Sequence, residues 1–257
     1  MNDVLIERRG SVQWITIDRE ARRNAMNDAV TDAIAAGLGQ ASADPEVRAV
    51  VLTGAGDKAF CAGADLSAGS GSFKYDYSKV GQSFVRLMKQ ARDLTLPLIA
   101  RVNGHAMAGG LGLIGMCDMA IGVETARFGL PEVKIGIFPM QIMAVLQRLI
   151  PPRKLYEMAL TGEPISAAEA LHIGLLNYVV ATAELDAKLD WLLSRLLDKS
   201  PTAIRRGKSA MRVTEQLNFD QSAAFMESQI GTLALTEDAA EGRAAFIEKR
   251  IPIWPGR

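Results

Sequence analysis

The chain has 257 residues, 49% of them hydrophobic and 23% charged, which suffices for a full core and reads as an ordinary globular protein. Its 29 basic and 29 acidic residues cancel, so no overall field draws it to nucleic acid or to an anionic membrane. Met1–Arg9 holds no basic-then-apolar leader, no apolar run reaches membrane-spanning length, and Cys61 and Cys117 have no metal-ligand spacing; the expectation is a cytoplasmic protein with free thiols and no metal.

Val4–Glu7 and Val12–Asp18 around Arg8-Arg9-Gly10-Ser11 predict a β-hairpin. Asn27 is placed to cap a helix carrying Val30, Ala33, Ile34, Leu38 and Ala41 on one face. A strand at 48–53 leads into a loop at 54–72 rich in Gly, Ala and Ser. Phe84, Leu87, Met88, Ala91 and Leu94 have helical spacing, and Pro97 ends that element before a strand at 98–102. Asp118–Val123 predicts another buried strand, Ser166-Ala167-Ala168-Glu169 a capping box whose short helix Gly174 closes, and Leu175–Val180 a short β segment. Leu185, Leu189, Leu192, Leu193 and Leu196 form an amphipathic stripe, and the residues after Pro201 read as helix nearly to Arg250. Strands alternate with helices to about residue 180 and then stop, which predicts an α/β core with an all-helical C-terminal region.

Two stretches carry the chemistry. Ala59-Phe60-Cys61-Ala62-Gly63-Ala64-Asp65-Leu66 and Asn103-Gly104-His105-Ala106-Met107-Ala108-Gly109-Gly110-Leu111-Gly112 are strand-to-helix turns stripped of bulk. Such turns expose backbone N–H groups, and a carbonyl oxygen between those of Ala62 and Gly109 would be strongly polarised. One such donor is worth about 3–4 kcal/mol to a reaction barrier in known cases. Gly110-Leu111-Gly112-Leu113-Ile114-Gly115 matches the dinucleotide pattern, but it sits seven residues past the strand and inside a helix, so its glycines read as close-packing positions.

Glu132 lies among apolar neighbours in Phe128-Gly129-Leu130-Pro131-Glu132-Val133, a setting that raises a carboxyl pKa and suits proton transfer near neutrality. His105 and His172 are the only histidines, and no G-x-S-x-G elbow supports a serine nucleophile. Cys61 has no base beside it in sequence and reads as a small packing residue. Met107, Phe138 and Met140 are candidates to line an adaptable acyl pocket.

In order, Arg23-Asn24-Ala25-Met26-Asn27, Gly54 to Leu66, Asn103 to Gly110 and Phe128 to Glu132 resemble the enoyl-CoA hydratase/isomerase (crotonase) superfamily, and the resemblance spans essentially the whole chain. It implies a ββα spiral core over 1–195 and a helical region over 196–257 that builds trimers, often paired into hexamers. The ligand it implies is an acyl-CoA thioester, with coenzyme A as part of the substrate and no separate cofactor. By resemblance Ala62 and Gly109 are the two amide donors, and Arg23, Ala25, Ala64, Asp65 and Leu66 lie near the nucleotide, with Lys249 reaching it across a subunit interface. Of the two glutamates typical of hydratases the second matches Glu132, whereas the first falls at Gly112, which has no side chain. Members that place an aspartate eight residues after Glu132 find Met140 here. A single carboxylate serves double-bond isomerisation through an enolate, which ranks slightly above hydration of a 2-enoyl thioester. A non-catalytic acyl-CoA binder is the alternative of another class.

Overall fold

In the computed structural model, which describes residues 3–67, 77–78 and 80–257, the apolar runs pair in register. The strands begin with β1 (Val4–Arg9), β2 (Val12–Ile17), β3 (Ala49–Gly54), β4 (Ala59–Cys61) and β5 (Leu98–Val102). They continue as β6 (His105–Met107), β7 (Met119–Val123), β8 (Arg127–Gly129), β9 (Ile165–Ser166) and β10 (Tyr178–Val180). Six of them form one sheet in the order β1-β2-β3-β5-β7-β10, parallel except for the β1–β2 hairpin. The other four form a second sheet, β4-β6-β8-β9.

The helices of the core are α1 (Asp28–Ala43), α2 (Ser83–Asp93), α3 (Gly109–Gly115), α4 (Met140–Leu146), α5 (Pro152–Thr161), α6 (Ala167–His172) and α7 (Leu185–Leu197). The pairs β3–β4, β5–β6 and β7–β8 each give their first strand to the large sheet and their second to the small one, and α2, α3 and α4 follow them in turn. This repeat is a spiral of ββα units, and it brings the loops after β4, β6 and β8 side by side. The helices α8 (Pro201–Thr214), α9 (Phe219–Leu233) and α10 (Glu237–Glu248) complete the chain.

Local chemistry explains most boundaries. The hairpin is tighter than expected: Arg9 pairs with Val12, and Gly10 turns the chain at φ +59°, a conformation glycine adopts without a Cβ penalty. The extra ladder residue Arg9 lays its guanidinium 4.2 Å from the Trp14 ring centroid. Asn27 caps α1 by accepting from the Val30 N–H at 2.9 Å, and Val30, Ile34, Leu38 and Ala41 are buried as its spacing predicts. The expected capping box is present, with Ser166 and Glu169 satisfying each other's backbone N–H groups.

Three expectations change. The loop over 54–72 contains strand β4, and its residues 68–72 lie outside those described. The helix expected after Pro201 is broken at 215–218 and 234–236, because Asn218 and Thr236 each cap a new helix with a side-chain oxygen. Helix α7 runs across the division expected at 195/196, so the chain turns at 198–200 instead. The C-terminal helices are clasped to the core by Asp118, whose carboxylate accepts from the Leu98 N–H, Lys208 and Arg212 at 2.7, 2.5 and 3.2 Å. Among the described residues no helix is long and apolar enough to cross a membrane.

Candidate active site

Two buried asparagines hold the loop that follows β3. Asn24 Nδ2 donates to the Ala55 and Ala59 carbonyls at 2.9 and 2.7 Å, and Asn103 Oδ1 accepts from the Gly54 N–H at 3.1 Å while its Nδ2 donates to Gly56 at 2.8 Å. The chain then passes through β4 to a single parallel bridge between Met26 and Ala64. There the Met26 N–H donates to the Gly63 carbonyl at 2.8 Å and the Asp65 N–H to the Met26 carbonyl at 2.7 Å. Ala64, between them, therefore turns its own N–H away from Met26. That N–H has no acceptor among the described residues, and Ala64 lines a cavity that Gly109 and Glu132 also line.

The second loop meets the first here. A Cβ built on Gly63 would lie 3.3 Å from the Gly109 nitrogen and 2.7 Å from the Ala108 Cβ, so only a glycine at 63 allows the approach. Gly109 opens α3, where the first N–H groups lack intrahelical partners, and it too lines the cavity. Ala108 before it is held at φ +51°, a conformation costly for a residue with a Cβ, and its N–H is fixed to the Gly129 carbonyl at 2.8 Å. Strain of this kind clusters where a backbone is being aimed.

Glu132 enters from the loop after β8. Pro131 starts the 3-10 turn Pro131–Ile135 and Gly136 closes it at φ +78°, which leaves Glu132 in the first turn facing inward. The side chain is 9% exposed, lines the cavity, and its Oε2 is buried without a hydrogen-bond partner. Burial pushes its pKa up, and its own backbone N–H offsets only part of that. A buried acceptor without a donor is a group prepared for something the chain itself does not supply.

The cavity is about 520 Å³, within the range of a small-molecule site. Phe84, Ile137, Phe138 and Ile142 give it an apolar wall. Asp28 and Asp32 also border it, but both are exposed, and their carboxylates are engaged by Ser83 and Arg86. Glu132 is the one buried acid among the described lining residues. Gly112 carries no acid, and the space beside it is full: a Cβ there would lie 2.4 Å from Ile142 Cγ2 and 2.9 Å from Phe84 Cζ.

Residues 7–257 match the model of the family described as enoyl-CoA hydratase/isomerase. The chain belongs to that family. It is 36% identical over 251 residues to the short-chain-enoyl-CoA hydratase of Clostridium acetobutylicum, covering 97% of this chain and 96% of that protein. It is 35% identical over 257 residues to the carnitinyl-CoA dehydratase of Salmonella typhi, covering 98% of both. Its fold matches the enoyl-CoA hydratase of Mycobacterium tuberculosis with a TM-score of 0.90 at 31% identity over the whole of both chains. It matches a putative enoyl-CoA hydratase/isomerase of Mycobacterium abscessus with a TM-score of 0.88 at 36% identity, covering 99% and 100%.

Of the two amides expected as donors, that of Gly109 borders the cavity and that of Ala62 does not. The Ala62 N–H is already committed to the Arg23 carbonyl at 3.0 Å and Ala62 does not border the cavity, so the free amide is that of Ala64, two residues on. Arg23 is exposed with φ +51°, and Ala25 is buried, its carbonyl accepting from Arg19 at 2.5 Å. Asp65 does not line the cavity either: Ser67 and Arg19 donate to its carboxylate and hold its pKa at about 2, which makes it a pin for the loop. Leu66 and Lys249 are exposed and away from the cavity lining, whereas Phe138 and Met140 line it, Met140 at its open side. Met107 does not line it. It packs beneath Gly129, its sulfur 3.1 Å from where a Cβ would stand.

His105 is exposed and accepts from the Arg127 N–H at 3.0 Å. The Cys61 thiol is fully buried and burial pushes its pKa up to about 12, so it is inert packing rather than a nucleophile. Sequence reasoning missed Asn24, Asn103, Phe84 and Ile142 as site-builders. Only Asn103 left a signal, as a polar residue opening a glycine-rich turn, although the loop it holds is the one at 54–56.

Proposed function

We propose that the chain acts on enoyl-CoA thioesters through an enolate held by the Ala64 and Gly109 amides, with Glu132 as the single proton carrier, and that it moves the double bond from C3 to C2. What carries the reading is the unpartnered Oε2 of Glu132, buried in the same cavity that the two amides line. The thioester oxygen accepts from both amides, which stabilise the charge it gains as the C2 proton leaves. Glu132 takes that proton and returns it at C4, so no atom is gained or lost. A carboxylate with a raised pKa is matched to both halves of this transfer.

Hydration of 2-enoyl-CoA is the second reading, and the name of the Clostridium relative favours it. To choose between them, purified protein is given 3-enoyl-CoA and 2-enoyl-CoA separately while the conjugated thioester absorbance is followed. Isomerisation predicts a gain of absorbance with the first; reaction of the 2-enoyl compound alone would reverse the order. A mere acyl-CoA binder would turn over neither.

The assembly we propose is a homotrimer or a dimer of trimers. Helix α9 buries none of its residues within the chain, and Phe219, Ile230, Leu235, Phe246, Ile251 and Ile253 are exposed on the C-terminal region. In such an assembly Lys249 reaches the nucleotide of a neighbouring subunit. Light scattering that returns a monomer would reject this arrangement.

A further inference from the structure

The volume beside Gly112 is occupied by two side chains from elements distant in sequence. Phe84 comes from the first turn of α2 and Ile142 from α4, and both also line the cavity that holds Glu132. A Cβ at residue 112 would meet Ile142 Cγ2 at 2.4 Å and Phe84 at 2.9 and 3.1 Å, so one of these side chains would have to shift to admit it. Ile142 is 4% exposed and packs in the core, so it has little room to withdraw. The two helices are tied at this point, because the Gln141 side-chain Nε2 donates to the Gln82 side-chain Oε1 beside them.

We infer that Phe84 and Ile142 are specificity-determining residues, an apolar plug in the place of a second acid that directs the enzyme toward proton relocation and away from water addition. The inference rests on the reading of Glu132 as proton carrier. Hydration joins the oxygen of water to C3 and places a proton on C2, so a water molecule must be held and deprotonated while carbon is protonated. A bound water needs two to four polar partners. Beside Gly112 the atoms nearest to a Cβ are a methyl of Ile142 and the ring edge of Phe84, none of which accepts or donates. Isomerisation makes no such demand, since the proton leaves C2 and returns at C4 on one carboxylate while the electron pair shifts through the dienolate.

The test opens the plug in the full-length protein and reads the ratio of hydration to isomerisation. Ile142→Ala and Phe84→Ala should each raise that ratio, and Gly112→Glu combined with Ile142→Ala should raise it by about a hundredfold or more, the lower end of what an added acid–base group contributes. Gly112→Glu alone should leave the ratio unchanged and lower Tm, for want of space. Ratios that stay at the wild-type value in both single alanine variants would overturn the inference, as would Gly112→Glu hydrating as well as the double variant.

Thermal unfolding reads the packing without any substrate. Gly112→Ala should lower Tm in the wild type and lower it less in the Ile142→Ala background, where only the Phe84 contact remains, whereas additive effects would show the space is not shared. If wild-type protein turns over neither thioester, the Glu132 reading falls while this cycle still decides whether Phe84 and Ile142 fill the site.

Discussion

Two of the buried carboxylates in this molecule, Asp238 and Glu132, stand under opposite conditions. Asp238, at the start of α10, is 2% exposed and sits where α8, α10 and the C-terminal tail meet. It accepts from Ser200 Oγ at 2.5 Å, the Gly256 N–H at 2.7 Å and the Thr202 N–H at 3.2 Å. Burial pushes its pKa up, but these three donors outweigh burial and hold it below the ordinary value. Glu132 is 9% exposed, its Oε2 has no donor at all, and burial therefore wins. The number of donors, rather than depth, separates a carboxylate that fastens the fold from one available for chemistry.

That contrast is broken most sharply at Glu132 itself. Glu132→Gln should cost about 10²–10⁴-fold in turnover, measured with saturating enoyl thioester, while binding of a saturated acyl-CoA persists. It should also stabilise the protein at neutral pH. Because the folded pKa is raised above the unfolded value, the native state binds the extra proton, and stability falls as pH rises through the folded pKa. Tm against pH should be flatter in the glutamine variant across that window, and an unchanged profile would contradict a strained carboxylate.

A smaller loss, about 10²–10³-fold, is expected from Ala64→Pro, which removes one amide donor that the strand bridge does not use. Ala62→Pro should instead lower Tm, since it deletes the bond to Arg23. If Ala62→Pro stays fully stable and Ala64→Pro stays fully active, the assignment of the two amides is wrong.

On the other side of the comparison, Asp238→Ala should destabilise by about 2–3 kcal/mol, leaving buried donors unpaired, with turnover per folded molecule unaffected. The lowered pKa means that this contribution is complete above the ordinary carboxylate range and is lost as pH falls through the folded value. Urea unfolding at neutral and acid pH checks both statements. Ser200→Ala removes one of the three donors and the cap of α8, and should cost about 1 kcal/mol.

Much of this was readable in the chain itself. Long apolar runs marked the strands of the large sheet, Asn27 and the Ser166–Glu169 box marked helix starts, and the sequence around Glu132 marked the acid. The small sheet was not readable, because β4, β6, β8 and β9 have only two or three residues, too few to show a period. The C-terminal breaks at Asn218 and Thr236 carried a signal, yet the continuous helical propensity around them hid it.

The sequence by itself determined the family, the ββα order, the two small-residue turns and the identity of the acid, since those depend on residue type and local spacing. Only the tertiary structure decided which amide is free and what stands beside Gly112. The first depends on a bridge from Ala64 to Met26, the second on Phe84 and Ile142 arriving from separate helices. Both are contacts between residues far apart in the chain, and no local pattern records the direction of an N–H or the filling of a void.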